Sequence, residues 1–68
     1  MIIPDRICID AKICTGKPCI RGTRLSVDLI LELLASGWNY EQIQDEYDLE
    51  NEDILAVLQY AHNIISEE

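Results

Sequence analysis

The sequence predicts a small α+β domain, mainly α: a short N-terminal β segment followed by a three-helix bundle. Three observations carry this reading. The chain has 68 residues with 49% apolar content, enough for one thin core. Up to Leu25 it is interrupted every few positions by turn-forming residues. From Ser26 onward, apolar residues recur at helical spacing between recognisable caps. One domain therefore spans 1–68, with an extended β arm over 1–25 and three helices over 26–66.

Within the arm, Arg6-Ile7-Cys8-Ile9-Asp10 alternates polar and apolar side chains, with β-branched residues at 7 and 9. Pro4-Asp5 and Asp10-Ala11 are turn signals on either side. Lys12-Ile13-Cys14 is the expected hairpin partner. Thr15-Gly16-Lys17-Pro18 breaks the chain again, and Cys19-Ile20-Arg21-Gly22-Thr23-Arg24 leads into the helices.

Ser26 is the expected N-cap of the first helix, with Asp28 placed to meet the positive end of its dipole. Val27, Ile30, Leu31 and Leu34 form its apolar stripe, and Gly37 supplies the stop, over which Trp38 folds back. Asn39 caps the second helix, with Gln42 as its capping-box partner, and Tyr40, Ile43 and Tyr47 face inward. After Asp48-Leu49-Glu50, the third helix runs from about Asn51 to Ile65, with Ile54, Val57, Leu58, Ala61 and Ile65 inward. The last two helices resemble a helix-turn-helix pair. Leu29 and Leu33 widen the first helix's apolar arc to roughly 200°, about twice what a single core requires. Either the β segment covers them or they form a subunit contact. A homo-oligomer, at least a dimer, is thus expected.

Charge is divided as sharply as structure. All five cations, Arg6, Lys12, Lys17, Arg21 and Arg24, precede Leu25, beside two carboxylates; the rest of the chain carries eleven carboxylates and neither lysine nor arginine. Neutralising phosphates takes Lys and Arg, so the helices alone are unsuited to a nucleic acid backbone. Any such contact is weak or confined to the N-terminal arm. No apolar run reaches membrane-spanning length and no basic-plus-apolar leader precedes the fold, so no membrane partner and a cytoplasmic location are expected. The cysteines, Cys8, Cys14 and Cys19, lack the CxxC spacing of zinc sites, and His62 lies on a distant helix. Buried thiols, no metal, no cofactor and no catalytic residues are the expectation; nothing in the sequence argues for an enzyme.

The most distinctive string is Gly16-Lys17-Pro18-Cys19-Ile20-Arg21-Gly22-Thr23-Arg24-Leu25-Ser26-Val27, followed by Ile30-Leu31-Glu32-Leu33-Leu34-Ala35-Ser36-Gly37, Glu52-Asp53-Ile54 and Tyr60-Ala61. From Cys8 to Ala61 the chain resembles the family known as domain of unknown function 433, whose hallmark is a GKPxIxGTRxxV segment. The resemblance implies a homeodomain-like, helix-turn-helix-like fold and an antitoxin of VapB-like type, which neutralises a PIN-like nuclease in a toxin–antitoxin pair. It implies no catalytic residues. Gly16, Pro18, Gly22 and Thr23 match the motif and are read as architecture. Where relatives start the last helix with a Thr-Pro-like pair, this chain has Glu50-Asn51, and Asn51 can serve as cap.

Lys17, Arg21 and Arg24 are the candidate partner-binding residues. A PIN-like nuclease gathers carboxylates around magnesium, and a guanidinium fork binds carboxylates in pairs, with Arg21 first choice and Arg24 second. The bland alternative is that Arg24 pairs with Asp28 while the other two are solvated. The acidic helices offer a complementary idea, an RNA mimic for a basic nuclease groove. The competing class is a DNA-binding regulator that uses the basic arm of an oligomer. There the third helix would turn Glu52, Leu55, Ala56, Gln59 and Asn63 outward, with Gln59 and Asn63 able to read adenine edges.

Overall fold

The structure, a computed structural model, describes residues 3–66. A two-residue strand, β1 (Ile7–Cys8), pairs antiparallel with β2 (Cys19–Ile20), with Ile7 opposite Ile20 and Cys8 opposite Cys19. Three helices follow: α1 (Val27–Ala35), α2 (Tyr40–Tyr47) and α3 (Asn51–Ser66). The fold is mainly α with a small β part. Met1, Ile2, Glu67 and Glu68, which complete the expected 1–68 domain and include two of the eleven carboxylates, lie outside the described residues. No helix among the described residues is long and apolar enough to cross a membrane.

The helix boundaries follow their caps. Ser26 Oγ accepts from Leu29 N at 3.0 Å and opens α1. At its end Trp38 N donates to Leu33 O and Gly37 N to Leu34 O, both at 3.1 Å, with Gly37 at φ +101°. That double bond pattern is the Schellman stop, which needs a residue tolerant of positive φ. Trp38 is then half-buried against the core. α2 opens with the full capping box, Gln42 N to Asn39 Oδ1 at 2.8 Å and Asn39 N to Gln42 Oε1 at 2.9 Å. It ends at Asp48 in the left-handed region, φ +55°.

α3 opens differently from expectation. Asn51 is its first helical residue, and Asp53 reaches back to accept Glu50 N at 2.9 Å. The other Asp53 oxygen accepts from Arg6 Nη1 at 3.0 Å, and Glu50 Oε1 accepts from the same nitrogen at 3.2 Å. Arg6 therefore clamps the start of β1 to the start of α3.

The core draws on every element: Ile7 and Ile20 from the strands, Val27 and Ile30 from α1, Ile43 from α2, Leu49 from the connection, and Ile54, Ala56, Val57 and Tyr60 from α3. The residues before Ser26 are thus no free arm. Ile7 and Ile20, paired in register, lay one face of the ribbon on the helices, and burying each such side chain stabilises by about 2–3 kcal/mol.

Two further expectations are corrected. Lys12-Ile13-Cys14 does not pair with β1; β2 does, because Cys14, Thr15 and Gly16 all adopt positive φ and curl the chain into a tight turn. The inward face of α3 includes Ala56 and Tyr60, whereas Ile65 is 69% exposed. Asp53, Ala56, Val57 and Tyr60 form one stripe at i, i+3, i+4 and i+7, and its first member holds Arg6. The ribbon, which contacts α3, thereby fixes which side of that helix is covered. Ile65 lies near the end of a 16-residue helix that outruns the 9 residues of α1 and the 8 of α2, leaving it little to pack against. His62, also on α3, is exposed.

Candidate partner-binding loop

Residues 18–27 form a narrow hairpin that delivers the chain into α1. Val27 N donates to Pro18 O at 2.9 Å, Cys19 bridges Ser26, and Ile20 N donates to Leu25 O at 2.9 Å. The tip is a four-residue turn, Ile20 to Thr23, closed by Thr23 N to Ile20 O at 3.0 Å. Gly22 occupies its third position at φ +82°, where the type II turn excludes most side chains. Thr23 Oγ1 donates to Ile20 O at 2.8 Å and accepts from Leu25 N at 3.0 Å, so one hydroxyl locks both sides of the tip.

The motif residues have structural work on this loop. Gly16, at φ +83°, finishes the turn before β2; Pro18 lends its carbonyl to the first residue of α1; Gly22 and Thr23 make the tip. Ile20, Leu25 and Val27 face the core, Leu25 only partly buried. The reading of Gly16, Pro18, Gly22 and Thr23 as architecture has a physical account at each position.

The cations are placed by this frame. Arg21, second in the tip turn, is exposed; its backbone N donates to Arg6 O at 2.7 Å and its Nε to Asp5 O at 2.7 Å. Its guanidinium is therefore anchored at one nitrogen. Arg24 is exposed on the same hairpin, and Lys17 is exposed immediately before it. Among the described residues the ion pairs are both Arg6's, with Glu50 at 3.2 Å and Asp53 at 3.0 Å. The expected pairing of Arg24 with Asp28 is not among them. The hydrogen bonds to Asp53 and then Glu50 hold the Arg6 guanidinium above its ordinary pKa, so this cation is used internally.

The hairpin and the residue before it thus present three exposed cations, whereas Asp28, Glu32, Glu41, Asp45, Glu46, Asp48, Glu50 and Glu52 are exposed on the helical part. Leu33 packs against the core and Leu29 is half-buried; among the described residues the large exposed apolar side chains are Ile3, Ile9, Leu55, Ile64 and Ile65. No group of three or more His, Cys, Asp or Glu able to hold a metal occurs among the described residues.

The family model described as "Protein of unknown function (DUF433)" matches residues 7–61, from β1 through most of α3. The chain belongs to the DUF433 family. Its fold is similar to the crystal structure of a DUF433 member protein from Anabaena variabilis, with a TM-score of 0.85 and 25% sequence identity. That likeness covers 93% of this chain and 63% of the other, so the chain spans under two thirds of that relative's length. No curated protein matches.

The pairing of Arg6 with Asp53, 47 residues apart, left no mark in the sequence. A local signal existed only for its acceptor, an aspartate three residues after Glu50 at a helix start.

Proposed function

We propose that this DUF433 protein is a non-enzymatic binding module of the cytoplasm, an antitoxin that neutralises a PIN-like nuclease. The observation that carries the reading is the hairpin tip. Arg21 stands on a turn locked by Gly22 and Thr23, anchored through Nε, while Lys17 and Arg24 flank it without intramolecular ion pairs among the described residues. A rigid loop bearing exposed guanidinium groups suits a cluster of carboxylates, and a metal-dependent nuclease site is such a cluster. Pre-ordering the loop lowers the entropy lost on binding.

The DNA-binding reading has less support. Gln59 Nε2 donates to Asn63 Oδ1 at 2.8 Å, so the two side chains suited to adenine edges engage each other. α2 and α3 lack Lys and Arg and begin with Glu41, Glu52 and Asp53, which repel phosphates. Weak phosphate contact through the hairpin of an oligomer remains the form that DNA binding would take.

The test is inhibition of a PIN-like nuclease encoded beside this chain. Arg21→Ala should weaken inhibition about 10- to 100-fold, the loss expected for one charged hydrogen-bonding partner of 1.5–3 kcal/mol. Asp45→Asn/Glu46→Gln should change it little. Full inhibition by Arg21→Ala would count against the loop, and full inhibition by both variants would remove the acidic-mimic idea as well.

A further inference from the structure

Cys8 and Cys19 oppose each other across the ribbon. They are register partners in the β1–β2 pair, and successive strand residues point to opposite faces. Ile7 and Ile20 take the face that lies on the helices, so both cysteines share the other one. The backbone bonds show which kind of pair they form. Arg21 N donates across to Arg6 O, whereas Ile20 N turns away from β1 and donates to Leu25 O. Bonded and non-bonded pairs alternate along an antiparallel ladder, so Cys8 and Cys19 are a hydrogen-bonded pair. Their α-carbons then stand about 5.5 Å apart, inside the roughly 4.4–6.8 Å span of natural disulfides.

The fit is close without being relaxed. Opposed β-carbons on a ladder are about 4.5–5.5 Å apart, and a disulfide draws them to about 3.8 Å. The ribbon has to pinch to close the bond, and a strained disulfide is the more reducible kind. With only two residues in each strand, little of the ladder resists the pinch.

Access differs between the two sulfurs. Both are free thiols, Cys8 half-buried and Cys19 fully buried. Burial, and after it the neighbours Cys14, Cys8 and Asp10, push the Cys19 thiol up from its ordinary pKa. Cys8 is thus the sulfur that a small reagent meets first, and Cys19 the one that answers from within. Cys14 lies outside both strands, in the turn at φ +52°, and its Sγ donates to Arg24 O at 3.0 Å.

We propose that Cys8 and Cys19 are a reversible cross-strand disulfide site, oxidised by exchange with a small disulfide of the glutathione type. Cys8 thiolate attacks one sulfur of that disulfide and the small S–S bond breaks. One thiolate leaves and takes up the proton that Cys8 gave to solvent. The Cys19 sulfur then attacks the Cys8 sulfur. The cross-strand bond forms, the mixed disulfide breaks, and the second small thiol leaves with the Cys19 proton. Each cysteine has given up one electron and the small disulfide has taken two. Excess thiol runs the same steps backwards. Oxidation staples β1 to the strand that leads into the basic tip; the bond's formation is independent of the proposed partner.

The experiment uses the full reduced chain and glutathione disulfide. Intact mass should fall by two hydrogens, one cysteine should remain open to N-ethylmaleimide, and fragmentation should place the bond between Cys8 and Cys19. Excess reduced glutathione should restore three reactive thiols. Cys14→Ser should form the bond to the same extent. Cys8→Ser, with its helical circular dichroism retained, should form no intramolecular bond. In concentrated urea the choice should change, because an unfolded chain closes its shorter loops more readily and Cys14 and Cys19 are nearest in sequence. A bond to Cys14 in the folded chain, or the same bond pattern folded and in urea, would overturn the proposal. So would three alkylatable cysteines, a glutathione adduct or linked dimers as the main product, or a bond that excess glutathione leaves intact.

Discussion

The N-terminal ribbon and the helical bundle are built by different means. In the bundle, shape follows from apolar spacing and caps: Ser26, Asn39 with Gln42, and Gly37 each act within a few residues of their own position. The ribbon has two strands of two residues each, and its shape depends on unusual torsions at Cys14, Thr15, Gly16 and Gly22, on the Thr23 hydroxyl, and on an ion pair to a distant helix. The bundle could be written with many sequences of the same pattern. The ribbon tolerates few, which accounts physically for so specific a string between Gly16 and Val27.

The comparison breaks most severely at Ile20. If the ribbon is as much a part of the core as the helices, Ile20→Ala should cost about 2–5 kcal/mol in urea unfolding, as much as Ile54→Ala in α3. A loss under about 1 kcal/mol would mean that the ribbon is a detachable arm, since domains of this size have only about 5 kcal/mol to lose. Gly22→Ala sharpens the contrast next. A Cβ there would meet nothing within 4 Å, so the cost, about 1–2 kcal/mol, should be purely torsional. The crystal structure of the variant should show the turn opened or strained with no clash.

A smaller effect is expected for the link between the two regions. Asp53→Ala removes both the cap on Glu50 N and the partner of Arg6, and should cost about 1 kcal/mol, most of it from the cap. Arg6→Ala should cost less than that, because its side chain is 42% exposed and solvent screens the pair. If Arg6→Ala proved the more damaging, the bond to Arg6 rather than the cap on Glu50 N would be the larger part of what Asp53 does. Smallest of all, Ile65→Glu should shift unfolding by less than about 0.5 kcal/mol. A large loss would show that Ile65 is covered in solution, and light scattering would then reveal whether a second copy covers it.

Most of the bundle was legible in the sequence because its determinants are local. The caps of α1 and α2, the stop at Gly37 and the inward placement of Ile43, Ile54 and Val57 all follow from residues within one or two turns. What the pattern hid was non-local. Ile65 looks apolar and in phase, but only the lengths of α1 and α2 reveal that it has little to pack on. The choice of Cys19–Ile20 over Lys12–Cys14 as the partner of β1 depended on two non-glycine residues entering the left-handed region, which propensity disfavours. Of the candidate site, Lys17, Arg21 and Arg24 were recognisable as an exposed basic set. The anchoring of Arg21 by Asp5 O and the diversion of Arg6 to Asp53 required the fold.

The central claim is that this chain meets its partner through the basic hairpin rather than through its acidic helices. Amide hydrogen exchange on a mixture with a PIN-like nuclease, the partner class proposed above, tests it most directly. New protection concentrated between Gly16 and Leu25, with α3 unchanged, is the predicted result. Protection confined to α2 and α3, with the hairpin exchanging as in the free protein, would contradict it.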